Sequence, residues 1–379
     1  MDLNCPHFKI CSGCSRDKAL EDLTSYKQAR QFFADRNFFS FQLHLGSPKG
    51  WRTRAKLAVR GDSKHPKLGL FEKGSHHIVD IPQCQVHHPS INQAANLLRD
   101  WMQTFEIHPY DELSGAGFLR YVQLAVERES GRVQLVLVIN EKEDNWLKNI
   151  KNIEAIKVLW EKHPTLWHSV WINFNPKRDN IIFSPRWHKL FGEEGLWETV
   201  GKREVCFHPG SFAQANLEML EQLVERIRQN ILPDAAAVEF YAGVGVIGIV
   251  LVDLCRSICC VEIAPKAEMC FDMAVSRLPE NLAGRLSFKR ATAASQVDLL
   301  KHSDVVIVDP PRKGLEKGVL EALCQPNQLK QLIYVSCGWE SFQDDCQKLM
   351  AAGWLISYAE AFLFFPGSEH IEILAIFKK

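Results

Sequence analysis

VEFYAGVGVIG, residues 238–248, joins an apolar run of strand character to a helical run through a turn that contains Gly243, Gly245 and Gly248. Glycines in this position let the chain turn tightly and let backbone N–H groups approach a ligand. Glu262 ends the next apolar run, nineteen residues after Gly243, and a carboxylate there can accept hydrogen bonds from ribose hydroxyls. The segment predicts a nucleoside-cofactor site rather than a merely structural turn, but its spacing alone does not separate NAD from S-adenosylmethionine.

Runs of strand and helix character alternate along the rest of the C-terminal half. They are Ala236–Tyr241, Ile247–Leu254, Ser257–Ile263, Pro265–Ser276, Asp304–Val308, Leu315–Leu323, Leu332–Ser336 and Ser341–Ala352. This alternation predicts βαβ crossovers and a mainly parallel, doubly wound sheet, so we expect the α/β class. The last two strand-like runs, Trp354–Phe364 and His370–Phe377, predict a hairpin that closes the sheet.

The N-terminal half shows short strand pairs instead of this alternation. Tyr121–Asn140 contains two strand-like runs around a Glu-Ser-Gly-Arg turn, which predicts a hairpin. A helical run follows at Trp146–Lys162, and Ser169–Phe183 reads as a second strand pair with NPKRDN as its turn. Antiparallel pairs with few crossovers predict an α+β domain.

Three domains are expected from these patterns, and the chain is long enough to give each a core. We expect an irregular segment with cysteines and basic side chains over residues 1–90. An α+β domain should follow over residues 91–205, and the doubly wound domain over residues 206–379.

Composition and charge exclude several classes of protein. The chain has 45 basic and 45 acidic residues, so it is not a wholly basic nucleic-acid coat. No apolar run approaches the roughly 18 residues that a membrane span needs, and the polar N-terminus is not a signal peptide. We expect a soluble, cytoplasmic protein.

One local basic segment lies between Lys49 and Lys67. Its members are Lys49, Arg52, Arg54, Lys56, Arg60, Lys64 and Lys67, opposed only by Asp62. Such a run is either a solvated strand face or a surface that binds phosphates, and the sequence by itself leaves both interpretations open.

VIVDPPRKGL, residues 306–315, ends an apolar strand in Asp309, two prolines and Arg312. The prolines rigidify the loop and hold Asp309 at the carboxyl edge of the sheet, where ligands bind in open α/β folds. Methyltransferases that act on amino groups usually have an aromatic residue after such a Pro-Pro pair. Arg312 in that place indicates a different chemistry.

QLIYVSCGWE, residues 331–340, is an apolar strand that ends in Cys337. A lone cysteine is more often a buried structural residue. A strand-end cysteine beside Gly338 is accessible, however, and it shares the sheet edge with Gly243 and Asp309. A reactive thiol needs a lowered pKa, and Arg312 is a candidate for the cationic neighbour that lowers it. Cys337 is therefore a candidate nucleophile.

One reaction that uses such a nucleophile is methylation of a carbon atom, for example C5 of uracil. This reaction needs a base as well as the thiol. C5 of uracil becomes nucleophilic only after a thiolate adds to C6, and the C5 proton must later be removed so that the thiolate can leave. FPGSEHIEIL, residues 365–374, places Glu372 in an apolar run, where a carboxylate must be hydrogen-bonded or functional. His370, two positions earlier, is more often structural.

The ordered motifs SFAQAN, YAGVG, VE, VDPPRKG, YVSC and FPGSEHIE resemble those of the RNA uracil-5-methyltransferase family, and WRTRAKLAV and FLRYVQL resemble its central-domain motifs. The resemblance implies a Rossmann-like class I methyltransferase domain behind an α+β RNA-binding domain that carries a cluster-binding segment. It implies that Cys337 is the nucleophile and Glu372 the base. The residues that it implies for S-adenosylmethionine are Gln214, Tyr241, Glu262 and Asp309, together with Gly243 and Gly245 of the glycine turn.

Cys5, Cys11, Cys14 and Cys84 combine C-x5-C-x2-C spacing with a distant fourth thiol. Four thiolates suit either Zn²⁺ or an iron–sulfur cluster, and the spacing alone does not decide between them. The pattern is similar to that of the ribosomal RNA members of the family, and this resemblance implies a [4Fe–4S] cluster with a structural role.

The same resemblance implies 23S ribosomal RNA as the substrate. Only four residues precede Cys5 in this sequence, so we expect no TRAM domain of the kind that some relatives carry before the cluster. Transfer RNA stays open as an alternative substrate. We expect no membrane and no obligate protein partner. The residues expected to contact RNA are Arg52, Arg54, Lys56 and Arg312.

The sequence departs from the family pattern beside both catalytic candidates. Gly338-Trp339 stands where the family usually has Asn-Pro, and Leu363-Phe364 stands where it usually has Asp-Met. These departures leave open an RNA-binding or RNA-folding factor with weakened catalysis, against which the presence of Cys337 and Glu372 argues. An NAD-dependent oxidoreductase is a third possibility, against which the Asp309 loop argues.

Overall fold

The contacts within the chain divide it into two compact units. The computed structural model describes residues 1–75, 77–146, 150–326 and 328–379. The first unit is Met1–Leu20 with Ser47–Leu196, and the second is Glu21–Gly46 with Trp197–Lys379. The divisions therefore differ from those expected at residues 90 and 205, because residues 21–46 pack with the C-terminal half of the chain. None of the described helices is long and apolar enough to cross a membrane.

The elements follow one another along the chain as short strands and helices. The strands are β1 (Leu43–His44), β2 (Arg54–Gly61), β3 (Pro66–Phe71), β4 (Ile78–Asp80), β5 (Leu119–Val126), β6 (Val133–Ile139), β7 (Trp167–Phe174), β8 (Trp187–Gly192), β9 (Leu196–Val200), β10 (Arg203–Phe207), β11 (Ala236–Phe240), β12 (Ser257–Glu262), β13 (Leu286–Arg290), β14 (Val305–Val308), β15 (Gln331–Ser336), β16 (Leu355–Phe362) and β17 (Glu372–Lys378). The helices are α1 (Thr24–Ala34), α2 (Pro89–Thr104), α3 (Glu143–Trp146), α4 (Ile150–Lys162), α5 (Leu217–Asn230), α6 (Val246–Leu251), α7 (Ala267–Val275), α8 (Glu280–Ala283), α9 (Lys317–Cys324) and α10 (Trp339–Ala351), with a 3₁₀ helix at Ala293–His302.

The first unit contains one sheet with the strand order β4-β3-β2-β5-β6-β7-β8. Its neighbours are antiparallel except β6 and β7, which are parallel and are connected through α4. In β2, Ala55, Leu57 and Val59 are buried in a core shared with α2 and α4, whereas Lys56 between them is exposed. This alternation covers one face of the sheet and leaves basic side chains on the other.

Some expectations for the first unit are confirmed and others are wrong. The hairpin predicted over residues 121–140 is present as β5 and β6. Residues 1–90 are not irregular, because they contain α1 and β2 to β4, and the basic residues of β2 hid its alternating pattern. The helix predicted from Trp146 is observed as α4, and residues 147–149 of that prediction lie outside the described residues.

The strand pair expected over residues 169–183 is wrong in its second half. β7 pairs with β8, and the intervening residues 175–186 form a loop. Side-chain amides hold this loop: Asn173 Nδ2 donates to the carbonyl of Ser184 at 2.9 Å, and Asn175 Nδ2 donates to that of Ile182 at 3.0 Å. These bonds replace the ladder that a tight hairpin would have formed.

The second unit contains a sheet with the order β1-β16-β17-β15-β14-β11-β12-β13. Five neighbouring strands of this sheet are parallel: β13, β12, β11, β14 and β15. β17 lies between β15 and β16 and is antiparallel to both. Alternate residues of β14 enter different cores: Val305 and Ile307 pack with α5 to α7, and Val306 and Val308 with α9 and α10. The α/β class, the parallel crossovers and the closing hairpin are confirmed.

Residues 21–46 complete this second unit. β1 adds a parallel strand to β16 at the edge of the sheet. The ring of Phe33 in α1 stacks on Phe41 with 4.5 Å between centroids and packs near Phe342 of α10. The N-terminal helix therefore belongs to the core beneath β14 and β15.

Candidate active site

A cavity of about 620 Å³ opens at the carboxyl edge of the second unit's parallel sheet. Its lining includes Gln214, Tyr241, Gly243, Glu262, Asp309, Arg312, Cys337 and Glu372. Tyr241, Asp309 and Cys337 directly follow parallel strands, and Glu262 ends one. β17 brings its first residue, Glu372, to the same edge because it runs in the opposite direction. Eight of the sequence-predicted residues thus lie around one space, and Gly245 lies beside it at the start of α6.

Two glycines of the turn, Gly245 and Gly248, are packed too closely for a side chain, whereas a Cβ atom on Gly243 would meet open space. Gly245 has φ of +80°, and a Cβ atom there would lie 2.6 Å from the ring of Phe271. A Cβ atom on Gly248 would lie 2.8 Å from both Cys260 Sγ and the carboxylate of Glu239. The backbone N–H groups of the turn can therefore approach a ligand closely.

Backbone N–H groups from two segments of the chain hold the carboxylate of Glu262 in place. Its Oε2 accepts a hydrogen bond from Gly243 N at 3.1 Å, and its Oε1 accepts from Ile263 N at 2.8 Å and Ala264 N at 2.9 Å. An ionised carboxylate has acceptor capacity for about four hydrogen bonds, so Glu262 retains capacity for a ligand hydroxyl.

Tyr241 lies at the end of β11 with a positive φ of 61°, which turns the chain sharply into the glycine turn. Its hydroxyl accepts a hydrogen bond from Glu316 N at 3.1 Å, and this contact ties the turn to the loop before α9. Burial raises the pKa of the Tyr241 hydroxyl, so this side chain lines the cavity in its neutral form.

Cys337 is half-buried at the end of β15, against the loop that carries Asp309. Its Sγ lies 3.9 Å from the carbonyl oxygen of Pro310. Ser341 Oγ donates to the carbonyl of Arg312 at 2.8 Å and lies 3.0 Å from that of Gly338, so the two loops are joined directly. The thiol is therefore accessible from the cavity and held in position by its neighbours.

Three acidic groups in this cavity have raised pKa values, and burial is the largest cause for each of them. Burial raises the pKa of Asp309 to about 7. Burial, and then Asp309, raise the pKa of Glu372 to about 8, and Arg312 opposes this shift. Burial followed by both carboxyl groups raises the pKa of Cys337 to about 11. Much of this cluster is therefore protonated at neutral pH.

The lowered pKa hypothesised for Cys337 is wrong, because the pKa of this thiol is raised. Arg312 is indeed close enough to lower the pKa of the thiol, as the sequence indicated. Its effect is outweighed because the thiol is desolvated and faces Glu372 and Asp309. A cationic ligand in the cavity would shift this balance toward the thiolate.

Comparisons with known proteins identify the protein family of this chain. A family model described as tRNA (Uracil-5-)-methyltransferase matches residues 193–379. A protein of Protochlamydia amoebophila (strain UWE25), described as an uncharacterized RNA methyltransferase, is 43% identical over all of this chain and 98% of its own length. The chain belongs to the RNA uracil-5-methyltransferase family. It is accordingly an enzyme that methylates RNA.

Two further similarities extend over most of the chain. A relative from Halalkalibacterium halodurans, also described as an uncharacterized RNA methyltransferase, is 26% identical over 98% of this chain and 82% of its own length. The crystal structure of Pyrococcus abyssi tRNA (uracil-54, C5)-methyltransferase in complex with S-adenosyl-L-homocysteine has a TM-score of 0.79 and 23% identity, and covers 97% of this chain and 84% of that one. This likeness shows the fold, so the expected Rossmann-like methyltransferase fold is confirmed.

The first departure from the family pattern has a steric cause in this chain. A Cβ atom on Gly338 would lie 2.3 Å from the carbonyl oxygen of Arg312, so the usual asparagine does not fit here. Trp339 packs edge-on against Phe32 of α1, with 5.3 Å between ring centroids. Gly338-Trp339 thus accommodates the Arg312 loop on one side and α1 on the other.

The second departure lies where β16 leads into the loop before Glu372. Leu363 and Phe364 are fully buried, so this family member has apolar anchors where the family usually has Asp-Met. The carbonyl of Phe364 accepts a hydrogen bond from Asn216 Nδ2 at 2.9 Å. Asn216 also caps α5 through Met219 N, and it thereby brings the segment of Gln214 beside the loop of Glu372.

Phe212 at this cavity and Glu239 beneath it were not singled out from the sequence. Phe212 lines the space and is 71% exposed, and its position in SFAQAN was the available signal. Glu239 lies beneath the glycine turn and accepts from Gly248 N at 2.8 Å, and burial raises its pKa to about 8. A carboxylate inside the apolar run of β11 was the signal for Glu239.

The four N-terminal cysteines lie in the first unit, where their thiols interact electrostatically. Burial and the thiols of Cys84, Cys11 and Cys5 raise the pKa of Cys14 to about 12. Across the residues that the structure describes, no three His, Cys, Asp or Glu side chains form a group arranged to hold a metal ion. The backbone N–H of Gly13 donates to Cys11 Sγ at 3.3 Å, a contact that favours a thiolate.

The basic residues expected to contact RNA differ in their surroundings. Arg54 and Lys56 lie on the outer face of β2, opposite the core of the first unit. Arg52 is directed at the thiols of Cys84 and Cys14 instead, and burial lowers the pKa of its guanidinium. Arg312 is exposed at the cavity of the second unit.

Proposed function

We propose that this enzyme methylates C5 of a uracil in RNA through a covalent bond between Cys337 and C6. The observation that supports the proposal most is the meeting of Cys337, Glu372 and the glycine turn in one cavity. The cavity is large enough for a nucleoside cofactor beside a single base. Its acidic residues Glu262 and Asp309 suit a cationic cofactor better than the anionic pyrophosphate of NAD.

The residues around the cavity divide the reaction between them. Cys337 gives up its thiol proton to solvent, its Sγ forms a bond to C6, and the π pair of the C5–C6 double bond moves onto the ring as an enolate. The methyl group would come from S-adenosylmethionine, whose sulfur–methyl bond breaks as C5 forms its bond to the methyl carbon. Glu372 then accepts the C5 proton, the pair of that C–H bond re-forms the C5–C6 double bond, and the C6–sulfur bond breaks.

The cofactor and the base would be held by different parts of the lining. We propose that Glu262 accepts from the ribose hydroxyls, that Gly243 and Gly245 admit the ligand to the turn, and that Gln214, Tyr241 and Asp309 complete the pocket. The target base must leave its stack to reach Cys337, and the exposed ring of Phe212 offers it a surface. Arg312 would hold a neighbouring phosphate.

Trapping with 5-fluorouridine tests the role of Cys337. RNA with 5-fluorouridine at the target should form a stable adduct with the wild-type enzyme, because fluorine cannot be removed from C5 as a proton is. Cys337→Ala should lose the adduct and reduce methyl transfer by at least about 10³-fold. Cys324→Ala is the matched control, since Cys324 is a half-buried cysteine outside the cavity.

The measurement is a denaturing gel of labelled RNA together with peptide mapping of the adduct. If Cys337→Ala forms the adduct in normal yield, the proposed mechanism is wrong. An adduct that also disappears in Cys324→Ala would point to a general loss of folding instead, which thermal unfolding of both variants would reveal.

The proposed RNA is 23S ribosomal RNA, and the likeness to enzymes described for transfer RNA makes transfer RNA the second candidate. The cysteine pattern of the first unit supports the ribosomal substrate by its resemblance to that part of the family. Methylating purified ribosomal and transfer RNA separately, and mapping the product uridines, decides between them. The proposed place of action is the cytoplasm, where both RNAs are found.

We also propose that Cys5, Cys11, Cys14 and Cys84 hold a [4Fe–4S] cluster. The cysteine pattern supports the proposal, as does the nearness of the thiols, each of which acts on the pKa of Cys14. Arg52 beside Cys84 and Cys14 would offset the charge of the thiolates. Such a cluster would join residues 1–20 covalently, through its metal–thiolate bonds, to the segment of Cys84 in the same unit.

Anaerobically purified protein should contain iron and acid-labile sulfide in about equal amounts, with absorbance near 400 nm that Cys84→Ser removes. Cys324→Ser is the control, because Cys324 lies in the second unit and should leave the iron content unchanged. Protein that contains zinc alone, under conditions that preserve iron–sulfur clusters, would overturn the cluster.

A further inference from the structure

The first unit has a cavity of its own, of about 630 Å³, on the side of its sheet that faces away from the apolar core. Lys56 and Ala58 of β2 and Tyr121 of β5 form its floor. Loop residues complete it, among them Lys73 and Ile182. The proposed mechanism of methyl transfer uses none of these side chains except Lys56, for which a phosphate contact was expected.

Two aromatic rings in this cavity are held in place by an arginine. The guanidinium of Arg60 lies 5.5 Å from the ring centroid of Phe71 and 5.3 Å from that of Tyr121. Arg60 also donates to the carbonyls of Val59 and Arg120, and it forms an ion pair with Glu112. The rings therefore form a preorganised surface, and the charge of Arg60 is already compensated.

The remaining cations of the cavity are available to an anion. Lys56 and Lys73 are exposed, and in the described part of the chain neither forms an ion pair with a carboxylate. The ammonium of Lys56 lies 4.7 Å from the ring centroid of Phe183, close to the aromatic surface. Glu72 and Glu112 also line the space, but Glu112 is paired with Arg60.

Exposed apolar side chains extend the surface beyond the cavity. Leu113 is 94% exposed and Ile181 is 63% exposed, on loops whose residues Glu112, Asn180 and Ile182 line the cavity. A hydrogen bond of 2.6 Å from Arg178 Nη2 to the carbonyl of Ser114 joins these loops. Apolar and aromatic side chains interleaved with free cations are the pattern that binds unstacked single-stranded RNA.

We propose that this cavity holds a second unstacked nucleotide of the substrate RNA, distinct from the uridine that is methylated. The base packs against Phe71, Tyr121 and Ile182, and the adjoining phosphates lie on Lys56 and Lys73. The inference rests on the proposed function for RNA as the ligand. It adds an RNA-recognition site on the first unit, which would let the enzyme select its substrate by a base that it does not modify.

The test compares RNA affinity and methyl transfer in matched variants of the full chain. Lys73→Glu reverses an exposed charge in the cavity, and Tyr121→Leu removes the ring but keeps an apolar floor. Lys162→Glu, at the exposed end of α4, is the control for charge alone. We expect Lys73→Glu and Tyr121→Leu to raise the Kd for the substrate RNA by at least about tenfold. Single-turnover methylation at saturating RNA should stay within about twofold of wild type.

Two additional readouts do not depend on catalysis. In Lys73→Glu, the slope of log Kd against log salt should fall by about one, because a phosphate contact is lost. RNA with 4-thiouridine at positions other than the target should cross-link to peptides that contain Phe71 or Tyr121.

The inference is overturned if both cavity variants bind RNA like wild type, or if Lys162→Glu weakens binding as much as they do. A protein partner that binds this surface while RNA affinity stays normal would overturn it as well. A failure of the proposed function looks different: wild-type enzyme would then neither methylate RNA nor form the 5-fluorouridine adduct, whatever the cavity variants do.

Discussion

At the scale of single residues, the active-site cavity is tuned by burial. Glu372 is only 5% exposed, and burial together with Asp309 raises its pKa to about 8. A carboxyl group in this state is a poor base until a positive charge approaches it. The sulfonium of S-adenosylmethionine would favour its ionised form, so the base becomes competent when the cofactor is present.

The raised pKa of Glu372 predicts how the stability of the ligand-free enzyme changes with pH. In the folded state this group titrates near pH 8, and in the unfolded state near its usual 4.5. The unfolded state therefore binds fewer protons between these values, so the free energy of unfolding falls as pH rises from about 4.5 to about 8. Glu372→Gln cannot ionise and should be more stable than wild type by about 5 kcal/mol above pH 8, with little difference below pH 4.5.

Urea unfolding of wild type and Glu372→Gln at pH 4.5, 6 and 9 measures this difference. The variant should also lose turnover, because no base remains to take the C5 proton. Equal pH dependence in the two proteins would show that Glu372 is already ionised in the empty site.

At the scale of elements, α1 contacts the loops of both catalytic candidates. Glu369, three residues before Glu372, accepts a hydrogen bond at its Oε2 from Thr24 N at 2.9 Å. Ser25 Oγ donates to the carbonyl of Glu369 at 2.5 Å. On the same helix, Phe32 packs against Trp339 beside the nucleophile loop. One helix can thus fix the spacing between the thiol and the base.

Removing a contact of α1 should lower the rate of the chemical step. Ser25→Ala frees the loop before Glu372, and we expect kcat to fall about 3- to 10-fold while KM for RNA stays unchanged, because small misplacements of reacting groups are costly. Ser276→Ala is matched to it, since the hydroxyl of Ser276 also donates to a carbonyl, that of Met273 at 2.7 Å, away from the cavity. A rise in KM alone, or an equal effect of both substitutions, would contradict a positioning role for α1.

At the scale of the whole molecule, the second unit is discontinuous in sequence. Its core includes Phe33 from the first 46 residues and Phe342 from near the end of the chain. Burial of such rings contributes a large share of the stability of a domain. The N-terminal helix should therefore unfold with the methyltransferase sheet and not with the residues that precede and follow it in sequence.

Phe33→Ala tests this organisation. Phe33 is fully buried, so its truncation should cost about 3–5 kcal/mol. Hydrogen exchange should speed up in amides of residues 197–379, whereas amides of residues 47–196 should be less affected. Leu98→Ala, at a fully buried position of α2 in the first unit, should give the reverse pattern. Identical patterns for the two variants would contradict the division into units.

Local pattern was sufficient for much of this protein. The alternation of strands and helices, the glycine turn and the proline-bounded Asp309 loop depend on backbone preferences of a few neighbouring residues. Parallel strands necessarily place their carboxyl ends at one edge, so Cys337 and Asp309 could be expected near Gly243 before any coordinates were known. The apolar run around Glu372 marked it as functional, and the family resemblance added its role as the base and the RNA substrate.

Tertiary structure alone decided the features that depend on distant parts of the chain. The alternating core face of β2 was hidden by its basic residues, and the amides of Asn173 and Asn175 replaced an expected hairpin with a loop. The raised pKa of Cys337 reflects the sum of desolvation and of charges that folding brings from other strands. Local conformational preference depends on neighbouring residues and can therefore be predicted from the sequence. Burial and electrostatic environment depend on remote segments and are decided only when these segments pack together.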